Sequence, residues 1–400
     1  MNLRISTAGL HAQGLNGLLQ RQQELARTQQ EMISGTRINR AADDPAAAAN
    51  AQRLDHAVAA LEQYDRNSGL LEHRLRLQEG ALEDAGDSLR RARELAIQAN
   101  NAALSPTDRA LLAAELRELH GGLVAIANRD DGNGWQLFAG SRDGVTPFSN
   151  SDGGVTYAGD DGQNLVDVAA GLAVADTDAG SDVFMRVRTG DGQVFGSAAT
   201  GNTGSGVLQS TAITDQTAWN GATLRVEFTA ADSYRVLDAG GTELATGTWQ
   251  SGESIDAGGA RITLTGAPAA GDAFTVERAP TRDVFASVKA LADALEAPAA
   301  TAAERARRDN AISGSIADLG TAQDHMLSLR AGTGARLASL DSASDTRGAD
   351  EVSLSATLSQ LRDVDYAKAA TQLALHATAL EAAQRTIVRV QSLSLFDRLG

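Results

Sequence analysis

The sequence predicts an α+β, multidomain chain. Both ends would form a long antiparallel helical bundle and coiled coil, with an all-β domain inserted between them. Three observations carry this. Leu18, Leu25 and Met32 are seven residues apart near the start, and so are Tyr366, Leu373, Leu380 and Ile387 near the end. That spacing keeps side chains on one stripe of a helix that supercoils around a partner. Residues 141–280, by contrast, hold 22 of the 40 glycines, and their 18 acids against 7 arginines supply −11 of the formal charge of −16. Helix on either side of such an insertion implies that the two ends return to one another.

Composition bounds the rest. Four hundred residues exceed one ordinary core, so two or three domains are expected. Aromatics are 4% while alanine is abundant, which suits slender, closely packed helices. The chain has no cysteine, which rules out a disulfide framework and a thiolate metal site. Its acidity argues against a nucleic-acid partner, whose phosphates it would repel. Lys289 and Lys368 are the only lysines, so the positive charge is otherwise arginine. The opening "MNLRISTAGLHAQG" lacks the apolar core of a secretory signal. No segment approaches the ~20 apolar residues of a membrane span. On these grounds alone a soluble cytoplasmic protein is expected.

In chain order, the first helix carries Leu18, Leu25 and Met32, with Gln22 and Gln29 read as the other seam positions. A stripe only half apolar is marginal in water, so residues 1–40 and 360–400 are expected to be disordered in the free chain and to fold on a partner. "ISGTRINRAADDPAAAA", residues 33–49, then stops one helix and starts another. Gly35 can take the left-handed conformation that ends a helix, and Asp44-Pro45 reads as an N-cap with proline at the first helical position. The intervening residues form a hinge. Leu75, Leu82 and Leu89 make a further heptad stripe. "LSPTDRALL" begins another helix, with Ser105 capping, Pro106 first, and Leu112, Leu116, Leu119, Leu123 and Ile126 on one face.

In the insertion, "ATLRVEFTA", "SYRVLDA" and "ARITLTG" alternate apolar and polar residues between turn formers, as short antiparallel strands do. Helix returns with "DVFASVKALADALEA" and the long stretch after Thr301. In the last segment Ala369, His376, Ala383 and Val390 follow three residues after the first row, and His376 is the only markedly polar member. The domains expected are 1–40 with 360–400 as an inner coiled coil, 41–140 with 281–359 as a bundle, and 141–280 as an acidic β domain.

Catalytic chemistry is not legible. The six histidines are scattered, with no two at an i, i+4 ligand spacing. "DTDAGSD", residues 176–182, imitates part of a calcium loop, but its twelfth position is Val187, so a solvated acidic turn is expected. The glycine clusters lack the spacing and setting of a phosphate loop. Asp43-Asp44, Asp130-Asp131 and Asp160-Asp161 are neighbours in sequence and suit caps and turns. The sequence points to no catalytic residue, cofactor or metal.

Three stretches together resemble the flagellin superfamily, and within it the hook-associated protein 3 type. They are "LRIST" leading through a glutamine-rich helix to "MISGTRINRAADDPAAAA", then "GWQLFAGSRDGVTPF", then "LSQLRDVDYAKAATQLALHATALEAAQRTIVRVQSLSLFDRL". Pro45 and the ending Ser394-Leu395-Phe396 favour that type over filament flagellins, which usually read "DDAAG" at the joint. The resemblance implies a structural, secreted subunit of the bacterial flagellum, in a homo-oligomeric junction ring between hook and filament. The other hook–filament junction protein would lie on one side and flagellin on the other. It implies export through the flagellar type III apparatus without a cleaved signal, with an export chaperone held by the C-terminal helix. The alternatives are a filament flagellin, a cytoplasmic helical signalling scaffold, and an enzyme carried on the β domain.

Overall fold

The computed structural model describes residues 7–142, 144–151 and 153–396, without the side chains of residues 7, 8, 10, 11 and 390–396. The α-helices are α1 (Thr7–Ser34), α2 (Pro45–Ala99), α3 (Pro106–Ala127), the one-turn α4 (Gln216–Trp219), α5 (Val284–Glu296), α6 (Ala302–Arg362) and α7 (Tyr366–Phe396). Their starts follow from local chemistry. Asp44 Oδ1 accepts from the Ala47 amide at 3.0 Å, ahead of Pro45. Ser105 and Asp108 form a reciprocal capping box with Pro106 at the first position. Thr301 and Glu304 do the same for α6, and Asp365 caps α7 through the Lys368 amide.

Two compact units result, Met1–Arg66 with Ala343–Gly400, and Asn67–Ser342. In the first, α1 and α7 run antiparallel. A side chain at Gly14 would touch Ile387, Glu24 faces His376, and Gly35 lies beside Tyr366. The start of α2 pairs with the end of α6 through Asp55–Arg362 at 3.5 Å and Asp65–Arg347 at 3.3 Å.

In the second unit Leu75, Leu82 and Leu89 are fully buried, as are Leu116 and Leu123. Leu82 and Leu89 of one predicted stripe and Leu116 and Leu123 of the other face one core, shared with Leu291, Leu295, Leu319 and Met326. The residues after α3 divide otherwise than composition suggests. Phe138, Phe148, Val155, Val183, Phe184 and Val187 belong to the same core as the helices. Phe184 stacks on Phe285 of α5 at 5.7 Å and meets Phe138 edge-on at 5.2 Å. The expected β block beginning at residue 141 thus contains bundle core up to Val187. Composition sees glycine and acid there but not the inward phenylalanines.

A separate β core lies further on, built on Val194, Trp219, Leu224, Val226, Phe228, Val236, Trp249, Ile262, Phe274 and Val276. Its five-stranded sheet orders Glu243–Thr248, Ser233–Asp238, Leu224–Ala230, Ala273–Arg278 and Val194–Ala198, all neighbours antiparallel. A three-stranded sheet orders Ser254–Ala257, Ala260–Thr265 and Val207–Ile213. All three alternating runs read from the sequence are strands here. The chain enters and leaves this module side by side, since Arg188 pairs with Thr281 and the Ala279 amide donates to Gln193 O at 2.9 Å.

Candidate assembly interface

The α1–α7 pair and its joints carry every residue singled out for assembly. Leu18, Leu25, Met32, Leu373, Leu380 and Ile387 are all partly buried, and Ala369 is fully so. Tyr366 is 57% exposed, with its hydroxyl beside Gly35, so it lies at the joint rather than within the seam. The Val390 side chain lies outside the described residues.

The second seam row of α1 differs from expectation. Gln22 and Gln29 are exposed, whereas Thr28 is buried and donates its hydroxyl to Glu24 O. A seam row follows its partner by three residues as well as four, and Leu25 is followed at three by Thr28. The spacing of four expected from Gln22 and Gln29 is therefore off by one residue. Glu24 is drawn to the same face, where its Oε2 lies 3.4 Å from His376 Nδ1 and 3.0 Å from Arg21. The seam histidine therefore faces a carboxylate, a pairing that the sequence could not register before the two helices were aligned.

At the joint, Gly35 has φ +70°, the left-handed conformation expected of it. Asp44 and Pro45 open α2 as expected. The residues between are bonded rather than bare. Asp43 Oδ2 accepts the amides of Asn39 and Arg40, and Thr36 Oγ1 bonds to Asn39 Oδ1 at 2.8 Å. Asp43-Asp44 thus serves a turn and a cap. A second joint, Asp363–Asp365, separates α6 from α7 and bridges Thr36 through Asp363. "DVDYAKAA" was its signal, an aspartate cap before a helix.

The outward surface of this unit is apolar in places. Leu15, Leu19, Ile33, Leu375 and Val388 are each about half exposed or more. Side chains of that size in water mark a surface completed by neighbours when they adjoin one another.

In the acidic turn at residues 176–182, Asp182 is exposed, but Asp176 and Asp178 are not solvated. Arg74 Nε donates to both Asp176 oxygens at 3.0 Å, its Nη1 reaches Asp131 at 2.9 Å, and Arg336 grips Asp178 at 2.6 Å. Gln78, fully buried, gives its amide to Asp178 and to Thr333, both at 2.7 Å. Asp176 and Asp178 hold the loop against α2 and α6, so for these two the correction is from solvent to buried hydrogen bonds and ion pairs. No group of three or more metal-ligating side chains that could hold an ion occurs among the described residues. Likewise no helix there is long and apolar enough to cross a membrane.

Models of the bacterial flagellin N-terminal helical region and C-terminal helical region match residues 5–143 and 316–399, together more than half of the chain. The crystal structure of Xanthomonas campestris FlgL is 42% identical, covers 76% of this chain and 99% of that one, and superposes with a TM-score of 0.73. The chain belongs to the hook-associated protein 3 family of the flagellins. The flagellar junction protein FlgL of Legionella pneumophila is 28% identical over 79% of this chain and all of that one, with a TM-score of 0.71. Flagellar hook-associated protein 3 of Salmonella typhimurium is 31% identical over 182 residues, which are 46% of this chain and 57% of that one. The match thus spans little more than half the length of that curated relative. The family is one of structural junction proteins, not of enzymes.

Proposed function

We propose that this chain is a structural subunit of the flagellum, forming a homo-oligomeric ring between hook and filament. The observation that carries the reading is the likeness to FlgL along 99% of that protein's structure. In this reading α1 and α7 line the export channel, the α2–α6 bundle forms the next layer, and the acidic β module faces solvent. Leu15, Leu19, Ile33, Leu375 and Val388 then meet neighbouring copies. The hook-side partner is the other hook–filament junction protein, and flagellin follows on the filament side. The chain reaches its place through the flagellar type III apparatus, escorted by a chaperone on the C-terminal helix. The joint at Gly35, Asp44 and Pro45 sets the angle between the inner pair and the bundle.

The test is deletion in the source bacterium. Hooks should still form while flagellin leaks into the medium, and the intact gene should restore filaments. Normal filaments without the protein would overturn the reading. Purified protein that grows into long filaments alone would assign it to the flagellins of the filament instead.

A further inference from the structure

We propose that the two joints of the end unit are a single clasp keyed by Arg37, so that the entry to and the exit from the α1–α7 pair bend together. The proposal rests on the hinge reading above only for its consequence in the flagellum, because the clasp itself is a property of the isolated chain.

The geometry is reciprocal. Thr36 and Asp363 form an antiparallel bridge. The Arg37 amide donates to Arg362 O at 2.7 Å, and the Val364 amide donates to Gly35 O at 3.0 Å. Gly35, with φ +70°, turns the chain out of α1 just before its carbonyl takes that bond.

Arg37 ties further. Its Nη2 donates to Leu361 O at 2.8 Å. The last carbonyls of a helix lack partners within it and carry the negative end of its dipole. Here Leu361 O and Arg362 O are both taken by Arg37, a residue some 325 positions away. The cap of α6 is thus supplied by the linker after α1. Arg37 Nη1 also lies 3.6 Å from Asp44 Oδ2, on the carboxylate that caps α2.

One side chain therefore reaches the end of α6 and the start of α2. Straightening either joint alone would break the bridge and strip both carbonyls of α6. A rigid clasp transmits one angle through both strands of the chain, whereas two independent tethers would allow each helix its own.

The chain lacks cysteine, which makes a direct test clean. In a bridge of this bonding pattern the facing Cα atoms lie about 4.5 Å apart, within disulfide range. In the purified full chain, Thr36→Cys with Asp363→Cys should cross-link under mild oxidant at least about tenfold faster than Ala41→Cys with Asp363→Cys. Adding Arg37→Met should slow the first pair severalfold, and Arg37→Lys should fall between because an ammonium cannot reproduce the guanidinium fork. Hydrogen exchange in Arg37→Met should rise at residues 361–369 as well as 35–44, and oxidising the cysteine pair in that background should reverse both. Equal cross-linking rates for the two pairs would overturn the clasp. So would an Arg37→Met effect confined to residues 35–44. Neither readout needs a flagellum, so failure here is distinct from failure of the junction reading.

Discussion

Arg74 shows how one residue turns a surface motif into structure. It holds Asp131 and Asp176, and all three side chains are at most 16% exposed. Removing one partner of such a network leaves charges out of water without compensation, a cost of about 3–5 kcal/mol. Arg74→Met should therefore lower the melting temperature of the full chain sharply, while Arg90→Met, paired with Asp87 at the surface, should change little. Acid should undo the same lock. Burial works to raise the Asp131 pKa, but the amides of Asn133 and Trp135 and the Arg74 guanidinium outweigh it and hold it below its ordinary value. A lowered folded pKa gives stability that is present above the unfolded value of about 4 and lost as the pH falls through the folded one. A pH series of thermal melts should show that loss in the wild type and less of it in Asp131→Asn. At the joint, Gly35→Val should cost about 1–2 kcal/mol for the left-handed conformation alone. Its Cβ would also lie 3.2 Å from the Tyr366 hydroxyl. Faster exchange of the Val364 amide would report it.

Among the elements, α1 and α7 are the marginal ones. Their seam is only partly buried, and a helix without a fully buried face draws little stability from packing. The bundle helices α3 and α5 bury most of their leucines against each other and the phenylalanine cluster. In dilute full-length protein the amides of α1 and α7 should therefore exchange at least about tenfold faster than those of α3 and α5. Equal protection would contradict the reading of α1 and α7 as the marginal elements of the free chain. Leu380→Ala should cost about 1–2 kcal/mol in the isolated chain, where the side chain is only partly covered. In the assembled ring, where neighbours complete its burial, the loss should approach the ~2–5 kcal/mol of a core site. Gln29→Ala should be neutral in the chain, since Gln29 points outward. Helicity on dilution and sedimentation of assemblies would separate the two effects.

For the whole molecule, the boundary of the β insertion decides what can be removed. The module is closed by a neck in which Thr189 donates to Pro280 O and Arg188 faces Thr281. Replacing residues 190–279 with Asn-Gly should close that neck as a hairpin and leave the bundle folded. Replacing residues 141–280 would instead delete Phe148 and Phe184 from the bundle core, at about 3–5 kcal/mol for each phenylalanine. Far-ultraviolet circular dichroism melts of the two deletions should differ accordingly, the first cooperative and the second lost. Under the proposed function the first variant should still attach filaments. Export without attachment would show that the module contacts the ring.

The order of residues alone sets where helices begin, because caps and prolines act within one turn. Asp44-Pro45 and Ser105-Pro106 could be read without any knowledge of neighbours. It determined the strands as well, since alternation along Leu224–Ala230 and Ala260–Thr265 is a property of one strand on one sheet face. The heptad leucines at 75, 82 and 89 were legible for the same reason. Packing between distant segments settles which acids are buried, because the charge of Asp176 says nothing until Arg74, 102 residues earlier, is placed against it. It decided that Thr28 rather than Gln29 is buried, because a seam that tolerates three or four residues is fixed only by its partner. It placed the bundle core's boundary near Val187, where phenylalanines distant in sequence converge. The bridge from Thr36 to Asp363 was beyond local reading altogether: its two halves meet only because the chain's ends return to one another, and hydrogen bonds between segments leave no periodicity in either.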